Sequence, residues 1–92
     1  MIQSWQHKGL RDFYRFTDKS GINPAHAEKL TMILQLLDAA EDIASLDLPG
    51  FFLHSLKGNK KGFYSMRVSG NWRVIFTFEG KDVFLVDYLD YH

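Results

Sequence analysis

The sequence predicts an α+β domain in which two N-terminal helices pack on one face of a mainly antiparallel β-sheet, in the order β-α-α-β-β-β. Two observations lead to this fold class. Apolar residues recur at helical spacing as far as about residue 42, and from Phe51 onward they alternate with a period of two, with Pro49-Gly50 between the two halves. With 92 residues, of which 46% are hydrophobic, the chain is expected to form one domain over residues 1–92.

The N-terminal half predicts a short strand and two helices. Met1 to Gln6 is expected to be the first strand, and Lys8 to Lys19 has the apolar spacing of a helix that ends at Ser20-Gly21. Asn23 offers a capping side chain and Pro24 suits a first helical position, so a second helix is expected from Pro24 to about Asp42. Its core-facing stripe consists of Ala27, Leu30, Leu34 and Leu37.

The C-terminal half predicts a β-hairpin with two different faces. If residues 69–71 form a three-residue loop, three apolar pairs face the core. These pairs are Val68 with Trp72, Met66 with Val74 and Tyr64 with Phe76. The other face then carries Ser65 opposite Ile75 and Arg67 beside Arg73. A two-residue loop would oppose Arg67 to Trp72 and mix apolar and charged side chains on both faces, so the longer loop is favoured.

The last strand is expected to lie inside the sheet and to hold the chain end at a fixed place. Val83 to Tyr88 is apolar on both faces apart from Asp87, which is typical of an inner strand. Strict alternation would put five residues on one side of it: Phe84, Val86, Tyr88, Asp90 and His92.

The charge distribution predicts a basic surface on a neutral protein. The formal net charge is zero, yet the stretch from Leu48 to Phe78 has no acidic residue. Its five basic residues are Lys57, Lys60, Lys61, Arg67 and Arg73. Such a patch attracts polyanions even when the whole molecule is neutral. The alternative interpretation is a solvated loop with ordinary lysines.

Three groups of residues are candidates for chemistry: His54, the loop Lys57 to Gly62, and the terminal Asp90-Tyr91-His92. A lone histidine on a strand is usually an exposed filler, but His54 precedes a cationic loop. Cleavage of an RNA backbone needs a base for the 2′-hydroxyl proton, an acid for the departing 5′-oxygen and cations for the charge on phosphorus. Histidines, a carboxylate and arginines together meet these needs.

Neither a metal ion nor another cofactor is expected. The chain has no cysteine, which excludes disulfides and a thiolate nucleophile. His54, His92 and Asp90 are the alternative, a two-histidine, one-carboxylate metal site, but no histidine pair stands at a ligand spacing. His7 and His26 are expected on the surface. The chain also lacks an apolar run long enough for a membrane span and a signal-peptide core, so a soluble cytoplasmic protein is expected.

Several spaced motifs stand out along the chain. They are Lys8-Gly9-Leu10, Leu48-Pro49-Gly50-Phe51, Leu53-His54-Ser55-Leu56-Lys57-Gly58, Val68-Ser69-Gly70-Asn71-Trp72-Arg73 and Asp90-Tyr91-His92. Together they resemble the HigB toxins, of the RelE/ParE toxin superfamily of type II toxin-antitoxin systems. The resemblance runs almost end to end. It implies a RelE-like fold, cleavage of mRNA in the A site of the 70S ribosome, and neutralisation by a HigA-like antitoxin with a helix-turn-helix domain.

Carried onto this sequence, the resemblance implies a catalytic group of His54, Asp90, Tyr91 and His92, with Arg73 and the Lys57 loop contacting RNA phosphates. The chain departs from the family by having Leu89 where an acidic residue is common. Two alternatives stay open: a ParE-like toxin that inhibits DNA gyrase without catalysis, and an inactive homologue that only binds its antitoxin. The two histidines favour the nuclease. Codon preference, oligomeric state and the assignment of acid and base are left open.

Overall fold

A computed structural model describes residues 1–91 of the chain. Two α-helices precede four strands that form one antiparallel sheet. The elements are α1 Lys8–Phe16, α2 Ala27–Ala39, β1 His54–Ser55, β2 Tyr64–Ser69, β3 Trp72–Glu79 and β4 Asp82–Asp90. The strands lie in the order β1-β2-β3-β4. The predicted α+β class is therefore confirmed.

Both helices are shorter than predicted, and local backbone conformation explains each end. Thr17 adopts a left-handed conformation, with φ of 60°, and donates its N–H to the Phe13 carbonyl at 2.9 Å, so α1 ends before Lys19. Asn23 caps the second helical segment as predicted, but its first turn, Pro24–His26, is a 3-10 helix. α2 ends at Ala39 because the next residue is extended. No helix within residues 1–91 has both the length and the apolar character needed to cross a membrane.

The N-terminal segment is not the regular first strand that the sequence predicts. Only Ile2 and Trp5 form bridges, parallel to Val83 and Val86 of β4. The reason is a bulge in β4, where Leu85 has a φ of 57° and donates its N–H to the Ser4 hydroxyl at 2.9 Å. The segment still hydrogen-bonds along residues 83–86 of β4, so this part of the strand has the predicted inner position, whereas the end of β4 lies at the edge of the sheet.

The bulge at Leu85 also corrects the predicted alternation along β4. Val83, Val86 and Tyr88 all face the core, whereas Phe84 pairs with Thr77 on the other side of the sheet. Phe84 therefore does not share a face with Val86, because a residue in the left-handed region adds one position to the strand and reverses its alternation.

The β2–β3 hairpin has the predicted register over four pairs and departs from it at the turn. Ser65 pairs with Ile75 and Arg67 with Arg73, and the other two predicted pairs are Met66 with Val74 and Tyr64 with Phe76. The predicted pairing of Val68 with Trp72 is wrong, since Ser69 pairs with Trp72 and β2 has an irregularity at Val68. A bulge lets a two-residue turn follow without exchanging the faces of the strands.

The core lies between the helices and one face of the sheet. Leu10 and Phe13 of α1 contribute to it, as do four residues of α2: Leu30, Ile33, Leu34 and Leu37. The sheet contributes the predicted inward positions, among which Met66, Val74 and Phe76 are fully buried. We call this side of the sheet the helix-side face and the opposite side the outer face.

Candidate nucleic-acid interface

Two neighbouring rows of paired residues define the outer face. One row runs His54, Ser65, Ile75, Asp87 across the four strands, and the next runs Arg67, Arg73, Leu89 across β2 to β4. Ile75 is only 1% exposed although it lies outside the main core cluster. The centre of the outer face, at Ile75 and Ser65, is therefore buried by neighbouring side chains, and the charged residues lie around it.

Arg67 and Arg73 lie directly opposite each other on this face, as the sequence predicts. Both are half-buried. Like charges at directly opposed positions of a sheet are unfavourable, by roughly 0.2–1 kcal/mol. Neither arginine forms an ion pair with any of residues 1–91. Two partly desolvated guanidinium groups without an acidic partner are a binding place for an anion.

Each arginine is held in place by a neutral contact. The Arg67 guanidinium lies over the ring of Phe52, 5.3 Å from its centroid. Arg73 Nη1 donates to the carbonyls of Gly70 and Trp72, at 2.8 and 3.3 Å. These contacts orient the two side chains without neutralising their charge, so both keep donors for a ligand.

The lysine loop, residues 57–62, lies beyond the short strand β1. Lys57 and Lys61 are exposed, and Lys60 is half-buried with its Nζ 5.4 Å from the centroid of the Phe63 ring. The loop is closed by the Leu56 N–H, which donates to the Phe63 carbonyl at 2.8 Å. In the part of the chain that the structure describes, none of the three lysines is in an ion pair.

His54 stands on the exposed edge strand beside the arginines. It pairs with Ser65, which makes it a diagonal neighbour of Arg67, and such neighbours lie about 7–8 Å apart. Its imidazole is exposed and forms no hydrogen bond or ring contact with residues 1–91. It lines a cleft of about 430 Å³ together with six others: Asp47, Leu48, Pro49, Gly50, Phe52 and Leu53. An unbound imidazole next to cations can exchange protons with a bound substrate.

The C-terminal candidates lie at the other edge of the sheet. Asp90 is exposed and pairs with Trp72, whose ring faces the helices, so Asp90 belongs to the helix-side face. Tyr91 is half-buried, and its N–H donates to the Asn71 carbonyl at 2.8 Å. His92 lies outside the described residues.

The structure thus brings His54 together with the arginines, but not with Asp90. Two strands separate β1 from β4, which at the usual strand spacing is about 14 Å across the sheet. The alternative metal site would combine His54 with Asp90 and His92. Over residues 1–91 the structure assembles no group of three His, Asp or Glu side chains that could hold a metal ion.

His26 corrects a prediction, because it is buried and not on the surface. It is 7% exposed, and its Nδ1 lies 2.7 Å from the Tyr88 hydroxyl, at hydrogen-bond distance. Its ring meets Trp72 edge-on at 5.6 Å, and Trp72 packs on Tyr88 at 4.8 Å. Burial raises the pKa of the Tyr88 phenol. The spacing of His26 from Leu30 and Leu37 puts it on the apolar stripe, a signal that the sequence does contain.

Two other residues near the site were not among the sequence candidates. Phe52 is 54% exposed and has a left-handed backbone with φ of 51°. Asp87 shares the outer-face row of His54, and its carboxylate accepts the N–H of Tyr88 at 2.9 Å. The hairpin register could have placed Asp87, whereas nothing in the local sequence marks the backbone of Phe52 as left-handed.

Comparison with known proteins identifies the family of the chain. The model of a family described as the RelE-like toxin HigB of type II toxin-antitoxin systems matches residues 3–92. A relative named Endoribonuclease HigB, from Proteus vulgaris, is 36% identical over 92 residues, which is all of both chains. Another, Toxin HigB-1 of Vibrio cholerae serotype O1, is 35% identical over all of this chain and 98% of its own length. The chain therefore belongs to the HigB-like toxin family of type II toxin-antitoxin systems.

Proposed function

We propose that this toxin is an endoribonuclease that cleaves mRNA in the A site of the ribosome and so inhibits translation. The observation that carries the proposal is the opposed pair Arg67 and Arg73, which has no ion-pair partner within residues 1–91 and lies beside the free imidazole of His54. A polyanion would relieve the repulsion between the arginines. The name of the relative from Proteus vulgaris supports the same activity.

The proposed reaction is attack by a 2′-hydroxyl on the adjacent phosphorus. A general base takes the hydroxyl proton as the O2′–P bond forms, and a general acid gives a proton to the 5′-oxygen as the P–O5′ bond breaks. His54 and His92 are the proposed base and acid, in an order that the proposal leaves open. Asp90 orients an imidazole and Tyr91 contacts the substrate. The arginines stabilise the charge that builds on the phosphoryl oxygens.

The wide spacing of these groups supports dependence on the ribosome. His54 and Asp90 lie on strands about 14 Å apart, so the free protein holds the proposed groups without closing them around a phosphodiester. We propose that ribosome-bound mRNA lies across the outer face from the end of β4 to the lysine loop, with Lys57, Lys60 and Lys61 contacting its phosphates. No metal ion or other cofactor takes part in this mechanism.

Membership of a toxin-antitoxin family implies an antitoxin partner. We propose in addition that this partner is a HigA-like protein with a helix-turn-helix domain. The toxin would act as one domain over residues 1–92 and in the cytoplasm, where its ribosomal target is found.

The experiment compares naked mRNA with the same mRNA on translating ribosomes. We expect discrete cleavage within the coding sequence on ribosomes and little cleavage of naked mRNA. Efficient cutting of naked mRNA at the same positions would contradict the dependence on the ribosome. Inhibition of DNA gyrase without mRNA cleavage would contradict the nuclease and favour the ParE-like mode.

A further inference from the structure

Proton transfer by His54 needs no cleft, but His54 lines one that is large enough to hold part of a substrate. Seven residues line its volume of about 430 Å³, among them His54, Phe52 and Asp47. The cleft is wide and open to solvent, so it can take one side of a planar group. Since His54 forms part of the wall, a group held in the cleft lies directly beside the proposed scission point.

The backbone presents Phe52 to this cleft at a conformational cost. Its φ of 51° is in the left-handed region, which a bulky residue rarely adopts. The preceding Phe51 is 8% exposed, and its carbonyl accepts the Arg67 N–H at 2.7 Å. Anchoring Phe51 in the core while turning the next residue outward leaves the Phe52 ring 54% exposed. Strain of this kind is typical of functional sites.

The exposed ring also has the electrostatics of a stacking platform. The Arg67 guanidinium lies over it at 5.3 Å, and Arg67 is one of the two arginines proposed to receive the RNA backbone. Proteins hold unpaired bases of single-stranded RNA by stacking them on aromatic rings or on the planes of arginine side chains. Phe52 and Arg67 together therefore suit a base and its adjoining phosphate.

Asp47 is the acidic residue among those that line the cleft. It is exposed, and its carboxylate forms no hydrogen bond or ion pair with residues 1–91. A carboxylate repels phosphate and accepts hydrogen bonds from the exocyclic amines of bases. Asp47 is thus suited to the edge of a base that carries an amine.

We propose that the cleft is a nucleobase subsite, in which one mRNA base next to the scissile phosphate stacks on Phe52 and donates an exocyclic amine to Asp47. The subsite rests on the proposed nuclease function and adds a preference to it. Adenine, cytosine and guanine carry such an amine and uracil does not, so uracil is disfavoured at this one position.

The test is single-turnover cleavage of ribosome-bound mRNAs that differ only in the bases flanking the cut. Phe52→Ala should lower the rate about 5- to 100-fold, which corresponds to the loss of one stacked base, and Phe52→Tyr should keep it. Phe16→Ala is the matched control, because Phe16 is 71% exposed on α1 and far from the cleft in sequence. Asp47→Ala should abolish the discrimination against uracil.

The outcomes separate this subsite from the nuclease itself. If the unaltered protein cleaves and Phe52→Ala cleaves as fast and with the same base preference, the subsite is wrong and the nuclease stands. If Phe52→Ala instead weakens only the affinity for purified antitoxin, the cleft belongs to a protein interface and the subsite is overturned. If the unaltered protein cleaves no mRNA, both proposals fail together. Melting curves of every variant exclude loss of folding as the cause.

Discussion

The two faces of the sheet differ in how far their polar and charged side chains are buried and hydrogen-bonded. On the helix-side face His26 is buried and bonded to Tyr88, and within residues 1–91 no buried side-chain nitrogen or oxygen lacks a partner. On the outer face His54 is exposed without a partner, and Arg67 opposes Arg73 without an ion pair in the described part of the chain. Polar groups that are satisfied internally stabilise a fold, whereas unsatisfied charges are available to a ligand.

This contrast indicates that stability and activity are carried by alternate residues of the same strands. In β2, Met66 faces the core and its neighbour Arg67 faces outward. Substitutions of the buried residues on the helix-side face should therefore change the free energy of unfolding, and substitutions of the charged residues on the outer face should change the rate of cleavage. The exposed Asp90 is the exception, since it lies on the helix-side face and belongs to the proposed catalytic group. Each prediction below tests that division.

The largest effect is expected for removal of His92. A protein that ends at Tyr91 loses a proposed acid or base, which should lower single-turnover cleavage of ribosome-bound mRNA by roughly 10²- to 10⁴-fold. Because no apolar group leaves the core, the free energy of unfolding should change by less than about 1 kcal/mol. Near wild-type cleavage by the truncated protein would remove His92 from the mechanism.

A core substitution should produce the opposite pattern. Met66 is fully buried, so Met66→Ala should lower the free energy of unfolding by about 2–5 kcal/mol through lost burial and a cavity. Met66→Leu is the matched control, since it conserves volume and should cost less than about 1.5 kcal/mol. Urea titrations measure both. The rate of cleavage per folded molecule should stay unchanged in both variants. A lower cleavage rate in Met66→Leu without loss of stability would contradict the separation of stability and activity between the two faces.

Arg73→Ala should reduce cleavage without unfolding the protein. Loss of one charged hydrogen-bond donor to phosphate corresponds to about 10- to 100-fold in rate. Arg15, exposed at the end of α1, is the matched control, and Arg15→Ala should cleave normally. If Arg73→Ala instead melts several degrees lower with unchanged activity, its bonds to the Gly70 and Trp72 carbonyls are its main role.

The smallest effect is expected for Tyr88→Phe, which removes one hydroxyl from the helix-side face. Loss of its hydrogen bonds to His26 and to the Asn23 N–H should cost about 1 kcal/mol near neutral pH. Burial raises the pKa of Tyr88 above its ordinary 10.0, so the folded state favours the neutral phenol. The stability that the neutral Tyr88 phenol contributes to the folded state is present below about pH 10 and is lost as the pH rises through the folded-state pKa. Unfolding titrations at about pH 8 and pH 11 should show the wild-type advantage shrinking, and a constant difference would contradict this origin.

Hairpin register was predictable because burial leaves little choice. A shift of one residue would have turned Met66 and Val74 to solvent, so the pattern determined four of the pairs and placed Arg67 beside Arg73. The start of the second helical segment was predictable from Asn23 and Pro24 for a similar local reason, although its first turn is a 3-10 helix.

Features that depend on single backbone conformations were not predictable. Leu85 and Thr17 both adopt positive φ although neither is glycine, and these two residues reverse the alternation of β4 and end α1 early. The position of Asp90 on the same face as Val86 and Tyr88, by contrast, agrees with the alternation that the sequence predicts, because it lies beyond the bulge. The prediction of a surface position for His26 was wrong because it considered only the place of His26 in the first helical turn. His26 continues the apolar stripe of Leu30 and Leu37 and is buried with it.

The central claim, that the chemistry lies on the outer face, is tested most directly by replacing one histidine on each face with alanine. His54→Ala and His26→Ala would be compared by single-turnover cleavage of ribosome-bound mRNA and by thermal melting. We expect His54→Ala to cleave roughly 10²- to 10⁴-fold more slowly with its melting temperature unchanged. His26→Ala should melt lower, by about 4–8 °C for each kcal/mol lost, and cleave normally while folded. Normal cleavage by His54→Ala would contradict the assignment of chemistry to the outer face. So would a loss of cleavage in His26→Ala under conditions in which that variant is fully folded.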